Sequence, residues 1–179
     1  CEYIVCMETS AMNSNGDFVI TWMSQYQDGS GWGIYAQRFN NEGTKVGGEI
    51  PVNTYTSGDQ NYSCVAMNND GDFVITWHSY GQDGPVYSMC AQRFKNDGTK
   101  VGSEILVKVD TYVTQPDSII AMDSVGNFVI TYEGHDASGW GIFAKKFKND
   151  GTQDGDELQF NTFTNNNQLD PAVEMNGNG

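Results

Sequence analysis

The chain has 179 residues, a formal net charge of -14 and only 9 lysines and arginines. This disfavours binding to nucleic acid or to an anionic membrane surface, because both are bound by clustered cations. Aromatic residues make up 12% of the chain and charged residues 18%, which is typical of a turn-rich β protein and not of a disordered one.

An internal repeat of 55 residues is the main signal in the sequence. The segment GDFVITW at 16–22 returns unchanged at 71–77 and as GNFVITY at 126–132. A second block, GIYAQRF at 33–39, returns as SMCAQRF at 88–94 and as GIFAKKF at 141–147. The step between the last two blocks is shorter because two residues are missing between Tyr132 and Ile142, which predicts a variable loop there.

Each copy begins with a short predicted strand that ends at a methionine: Met12, Met67, Met122 and Met175. A tight turn follows, in which glycine adopts the positive φ that a hairpin requires. The second strand is dense in β-branched and aromatic residues, which predicts burial on both faces. We expect its central side chains to be almost wholly buried, namely Phe18, Val19, Ile20, Phe73, Val74, Ile75, Phe128, Val129 and Ile130.

A long polar loop then leads to the third predicted strand, which ends at Phe39, Phe94 and Phe147. Another glycine turn precedes the fourth strand, which runs through Glu49, Glu104 and Glu157. Four antiparallel strands per repeat of about 50 residues are typical of β-propeller blades. An open β-solenoid or a string of small sandwiches are the alternatives, and the lack of long linkers counts against the string.

The repeat predicts a single all-β domain over residues 1–179, which is either a whole domain or part of a larger propeller. Residues 1–7 form an N-terminal extension, 8–62, 63–117 and 118–170 form three blades, and 171–179 form the first strand of a fourth. Because propellers usually close with about four to eight blades, we expect the strand at 170–175 to be completed by further polypeptide or by another copy of the chain. The apolar residues Tyr3, Ile4 and Val5 are a candidate partner for it.

The motif GDFVITWMSQYQDGSGWGIYAQRF, followed by Gly43, Gly47, Glu49, Val52 and Asn53, resembles a family of bacterial secreted and cell-surface proteins. Their tandem units read GDFVVTWxSxxQDGxxxGIYAQRF and then xxGxxxGxEFxVN. The resemblance covers almost the whole chain and implies a propeller-like fold and an extracellular or cell-surface location. It does not imply a reaction. The third copy departs from the pattern at Tyr132 and Glu133 and in its shortened loop.

The loop after the second strand is the best candidate for a ligand site. Trp32 and Trp140 lie there in the sequence SGWG, and Asp28, Asp83 and Asp136 recur beside them. Such residues suit stacking and hydrogen bonding to a sugar. Core packing explains the aromatic residues that end the second strands, Trp22, Trp77 and Tyr132, with fewer assumptions.

The acidic first turn is a candidate calcium site, with Asp17, Asp70 and Asp72 as possible ligands. Calcium prefers six to eight oxygen ligands, which acidic turns supply. The EF-hand spacing is missing, however, and aspartate beside glycine is also what tight turns favour.

The four cysteines and one glycosylation sequon complete the candidate residues. Cys64 and Cys90 occupy the first and third strands of one unit, which lie too far apart for a disulfide, so we expect free thiols. Cys1 and Cys6 precede the first blade, where a local bridge or a link to another chain is favoured outside the cell. Asn61 is an acceptor for N-glycosylation only if the producing cell glycosylates.

The sequence therefore predicts a non-enzymatic extracellular repeat module that acts in cell-surface adhesion, matrix or filament structure. Its expected partners are other copies of itself or further blades, with glycans as a second class. The two histidines, His78 and His135, occupy non-equivalent positions and match no zinc-binding spacing. A carbohydrate-binding propeller is the alternative function.

Overall fold

The computed structural model describes residues 9–110 and 118–177, and these form three four-stranded antiparallel sheets. We call each sheet with its turns a unit. The first unit contains β1 (Thr9–Met12), β2 (Phe18–Gln25), β3 (Trp32–Phe39) and β4 (Lys45–Pro51). The second contains β5 (Gln60–Met67), β6 (Phe73–Tyr80), β7 (Tyr87–Phe94) and β8 (Lys100–Asp110). The third contains β9 (Ser118–Met122), β10 (Phe128–His135), β11 (Trp140–Phe147) and β12 (Leu158–Gln159).

Strand order within each sheet follows chain order, so each unit is a simple meander. At the first turn of each unit a glycine has positive φ, for example +88° at Gly16 and +83° at Gly71. The next hairpin pairs the second strand of each unit with the third. At the end of the hairpin away from its loop two phenylalanines stack, with ring centroids 4.8 Å apart in the first two units and 4.9 Å apart in the third. The predicted four-stranded unit and its strand positions are confirmed.

The units pack face to face through alternate side chains of their strands, as the two-residue period of a strand allows. One apolar cluster joins the first unit to the second, through Val19, Ile34, Ala36, Val52, Phe73, Ile75 and Trp77. Another joins the second to the third, through Val74, Met89, Ala91, Val107, Phe128, Ile130 and Tyr132. The central unit is therefore covered on both faces, and Trp77 and Tyr132 belong to the core.

Burial of the second strands is less complete than the sequence predicts. Phe73 and Phe128 are 1% exposed, but Phe18, Ile20 and Val129 are only half-buried. Phe18 and Ile20 lie on the face of the first unit that points away from the second, and Val129 lies on the corresponding outer face of the third. The prediction of burial on both faces is wrong for these three residues because burial here comes from a neighbouring unit.

The predicted first strand of a fourth blade, 171–179, is not a strand in the part of it that the structure describes. Residues 171–177 make no ladder with any other described residue. Cys64 and Cys90 are free thiols, as predicted, and lie on β5 and β7 with β6 between them. The predictions for Cys1, Cys6, Tyr3, Ile4 and Val5 fall outside the described residues.

Candidate functional site

Two cavities lie at the joints between successive units and are built from equivalent residues. The cavity between the first and second units has a volume of about 320 Å³, and the one between the second and third about 250 Å³. The first is lined by Asn13, Asp17, Arg38, Phe39, Met67 and Asn96. The second is lined by their counterparts Asn68, Asp72, Arg93, Phe94, Met122 and Asn149. The recurrence makes these cavities part of the repeat and not local irregularities of packing.

A third cavity of about 450 Å³ lies on the outer side of the third unit. Asp123, Asn127, Lys146 and Phe147 line it at the equivalent positions, and Met175 takes the place of Met67 and Met122. The segment after β12 therefore contributes Met175 to the cavity of the third unit, as the second and third units contribute Met67 and Met122 to the joint cavities.

An amide and a carboxylate hold the first turn of each unit. In the first unit Asn13 Oδ1 accepts from the backbone N–H groups of Asn15 and Asp17 at 3.0 Å each. The Asp17 carboxylate then accepts from the Asn41 N–H at 3.1 Å, which ties this turn to the turn between β3 and β4. Such side-chain acceptors replace the backbone partners that a tight turn lacks.

The third unit transposes this pair. Asp123 Oδ1 accepts from the backbone N–H groups of Val125 at 3.0 Å and Asn127 at 2.8 Å. Asn127 Nδ2 donates to Asp123 Oδ2 at 2.8 Å, and Asn127 Oδ1 accepts from Asn149 N at 3.0 Å. One amide and one carboxylate are thus kept although their positions are exchanged.

Arginines of one unit reach across the joint to the turn of the next. Arg38 Nη1 donates to the carbonyl of Asn96, and Arg93 Nη1 donates to the carbonyl of Asn149 at 2.6 Å. The Nε atoms of both arginines are buried and have no hydrogen-bond partner among the described residues. A buried unpaired donor at the same place in both joints marks where a ligand acceptor or a water would be stabilised.

The predicted metal ligands line these cavities, and the carboxylates of Asp17 and Asp72 accept hydrogen bonds from turn N–H groups. Asp72 accepts from Asn96 N at 2.9 Å and pairs with Lys95 Nζ at 2.8 Å. Asp17 and Asp70 line the first cavity. Within residues 9–110 and 118–177 no three histidine, cysteine or acidic side chains are gathered as a metal would need. Calcium binding stays a prediction, tested by whether the melting temperature rises with calcium and falls again with a chelator.

The predicted ligand residues lie at the opposite end of the units. Trp32 and Trp140 are half-buried and begin β3 and β11, so they are strand residues and not loop residues as expected. The ring centroids of Trp140 and His135 are 3.9 Å apart. The structure does not bring either tryptophan to the joint cavities.

The three recurring aspartates of this end have different partners. Asp83 Oδ2 accepts from Ser88 Oγ at 2.6 Å, and Asp136 Oδ1 accepts from the backbone N–H of Ser138 at 2.9 Å. Asp28 Oδ2 is buried and has no hydrogen-bond partner in the part of the chain that the structure describes. A Cβ at Gly33, the position equivalent to Ser88, would lie 2.5 Å from this oxygen. The first unit therefore lacks the hydroxyl that satisfies this carboxylate in the second. Asn61, the predicted glycosylation site, is half-buried in β5.

Polar groups also lie inside the second joint. Lys108 Nζ is 3.3 Å from Glu157 Oε1 and lies over the rings of Tyr132 and Phe143, at 4.8 and 4.9 Å from their centroids. Tyr132 Oη donates to Glu157 Oε1. Burial acts to raise the pKa of Glu157, but the Tyr132 hydroxyl and the Lys108 ammonium together hold that pKa below its ordinary value.

The ends of β5 and β9 and the segment after β12 meet at a further cavity of about 220 Å³. Met67, Met122 and Met175 line it together with the turns that follow them. The sequence showed these methionines as equivalent positions of the repeat, but it did not show that they meet. Nor did it reveal the joint cavities, because their walls come from segments about 55 residues apart.

No family model matches this chain, and no curated protein matches it at a significant level. Among the described residues no helix is long and apolar enough to cross a membrane. The repeated joint is thus the main basis for a functional argument.

Proposed function

We propose that this protein is a non-enzymatic extracellular repeat module of a cell surface, matrix or filament, built from consecutive β-propeller blades. The observation that carries the proposal is the repeated joint, in which the same residue positions line equivalent cavities between successive units. Stacking identical units extends a rigid surface, whereas catalysis usually relies on one asymmetric pocket.

The arrangement of the units supports the propeller architecture. Four-stranded sheets pack face to face, and the first strands of the second and third units share a cavity with the segment after β12. Propeller blades surround a central channel. Further units, supplied by the same polypeptide or by other copies, would complete the ring or extend the array.

Localisation and imaging test this function. Antibodies against the folded chain should label intact, unpermeabilised producing cells or their extracellular matrix. Immunogold electron microscopy should place the label on filaments or on a surface layer. Label confined to the cytoplasm would contradict the proposal.

Carbohydrate binding is the second candidate function, favoured by the polar walls of the joint cavities. Amide, carboxylate and guanidinium groups lie there beside a phenylalanine ring, a combination that suits a hydroxylated ligand. A glycan array separates the two functions. Saturable binding that is lost in Asn96→Ala but kept in Trp32→Ala would assign it to the joint, and the reverse result would assign it to the loop end. The structural role predicts no saturable sugar binding.

A further inference from the structure

Each joint has a direction. A Cβ placed on Gly98 of the second unit would lie 2.8 Å from Ile50 Cδ1 and 3.0 Å from Arg38 Nε of the first unit. At the second joint a Cβ on Gly151 would lie 3.1 Å from Ile105 Cδ1 and 2.7 Å from Arg93 Nε. An isoleucine and an arginine of one unit thus always cover the turn glycine of the next.

Both halves of this contact are open in the first and third units as far as the described residues show. Gly43 is the equivalent glycine of the first unit, and no described residue has an atom within 4 Å of a Cβ placed on it. Leu158 and Lys146 stand in the third unit where Ile105 and Arg93 stand in the second, and both are exposed. Phe160 is 60% exposed, whereas its counterparts Val52 and Val107 are 0% and 2% exposed.

The charges at the two ends are complementary in the same sense as at the joints. Hydrogen bonds from Thr99 are the main cause of the lowered pKa of Asp97, and the Arg38 charge across the first joint adds to them. Thr152 and, to a smaller extent, Arg93 lower the pKa of Asp150 in the same way at the second joint. Glu42 is the equivalent acid of the first unit. Exposed Lys146 of the third unit and exposed Glu42 of the first would form the same pairing of a cation with an acid across a new joint.

The segment after β12 already has the conformation of a linker between units. Asn161 Oδ1 accepts from Ile142 N at 2.8 Å, and Asn161 Nδ2 donates to Gln168 Oε1 at 2.8 Å. Asn53 makes the same bonds to Ile34 at 2.7 Å and Gln60 at 3.1 Å in the first linker.

The backbone dihedral angles of the segment after β12 also match those of the first linker. Asn166 and Asp170 have φ of +61° and +58°, matching +77° at Gly58 and +56° at Tyr62. The positive-φ residues of the segment after β12 thus fall at the same places as those that precede the second unit.

We propose that the third unit docks onto the first unit of a second copy of this chain. Residues 170–177 then replace β1 as the first strand of the second copy's first unit. The inference deepens the proposed structural role and rests on it. The docked surface continues the joint that the chain already forms twice, and it covers Leu158 and Phe160 together with the half-buried Phe18, Ile20 and Trp22.

The register of the exchanged strand follows from the two existing units. Val65 lies opposite Ile75 in the second unit, and Ser10 lies opposite Ile20 in the first. Val173 is equivalent to Val65, so it lies opposite Ile20 of the second copy. It thereby takes the place of Ser10, and β1 is displaced.

Association is tested by measuring the weight-average mass of the chain against concentration with analytical ultracentrifugation. The wild type should rise from the mass of one chain to multiples of it. Leu158→Lys should shift this transition to a concentration at least roughly tenfold higher, because it places a charge in an apolar contact. The control is Leu106→Lys, since Leu106 is similarly exposed at 51% against 47% but lies outside the joint contact. That variant should associate like the wild type.

The strand register is tested by cross-linking two variants, Ile20→Cys and Val173→Cys. Under mild oxidation the mixture should give covalent dimers, and neither variant alone should do so, which controls for the native cysteines. A chain that stays monomeric at every concentration, or equal weakening by Leu158→Lys and Leu106→Lys, would overturn the docking proposal. Association without the cross-link would overturn the strand exchange and leave the structural role standing. A monomer that still labels the cell surface would separate the docking proposal from the proposed function.

Discussion

Gly98 lies directly under the side chain of Arg38 from the preceding unit, so close that a methyl group on Gly98 would sit 3.0 Å from Arg38 Nε. This contact makes the turn between β7 and β8 part of the joint between units. It also means that two glycines with the same backbone role, Gly98 and Gly43, differ in what surrounds them.

The first prediction compares alanine at these two positions. Both glycines have positive φ, +87° at Gly98 and +77° at Gly43, so either substitution should cost about 1 to 2 kcal/mol in backbone strain. Gly98→Ala should cost about 1 to 3 kcal/mol more, because its Cβ meets Ile50 and Arg38. Urea unfolding of both variants measures the difference. Equal losses would show that the joint does not press on this turn.

The second prediction concerns the phenylalanines of the identical segments 16–22 and 71–77. Phe73→Ala should reduce the free energy of unfolding by about 3 to 5 kcal/mol, because it opens a cavity in a core between units. Phe18→Ala should cost clearly less, since half-buried Phe18 already borders solvent. Chemical denaturation of both variants provides the test, and a larger loss for Phe18 would contradict the packing described.

This pair also shows how far the sequence predicts the fold. The 55-residue period and the alternation of turns and strands were enough to predict four strands per unit, and the structure confirms them. The same heptapeptide nevertheless has different burial in two copies. Burial depends on whether another unit covers that face, which no local pattern reports.

The candidate site was predicted only in part, for a related reason. The sequence predicts Asp17, Asp70 and Asp72 as possible calcium ligands. In the structure the carboxylates of Asp17 and Asp72 accept hydrogen bonds from turn N–H groups beside the joint cavities. The recurrence of an arginine before the last phenylalanine of β3 and β7 was visible in the sequence. Its target, a turn in the following unit, lies about 58 residues away, and only the packing of the units reveals it.

The third prediction tests the transposed turn pair of the third unit. Asn127→Asp places a second carboxylate beside buried Asp123 and should cost about 2 to 3 kcal/mol at neutral pH through like-charge repulsion. Exchanging both residues, Asp123→Asn with Asn127→Asp, recreates the arrangement of the first unit and should return to within about 1 kcal/mol of the wild type. Urea unfolding of the single and double variants measures this. A double variant no more stable than Asn127→Asp would refute the equivalence of the two arrangements.

The fourth prediction is an acid-dependent loss of stability caused by His78. Burial lowers the pKa of His78 from 6.5 to about 4 in the folded chain, so the unfolded chain takes up this proton first as pH falls. The neutral ring contributes on the order of 3 kcal/mol to the free energy of unfolding. This contribution is fully present above pH 6.5 and is lost progressively as the pH falls to about 4.

The control comes from the repeat itself. Methionine occupies the equivalent position of the first unit, at Met23, so His78→Met should fold and should flatten the dependence of unfolding free energy on pH between 6.5 and 4. His135→Gln should leave the dependence in place. If His78→Met retained the full acid loss, another group would have to cause it.

A joint in which arginine and isoleucine always face the glycine turn of the next unit has no twofold axis. Two copies that associate through one such joint cannot bury the same patch on both chains, and a dimer held by a single joint leaves one glycine turn and one leucine surface open. Assemblies built from this contact are therefore polar. They close only as rings with rotational symmetry, and where the rotation per copy does not close they continue as fibres whose two ends differ in charge and in rate of growth.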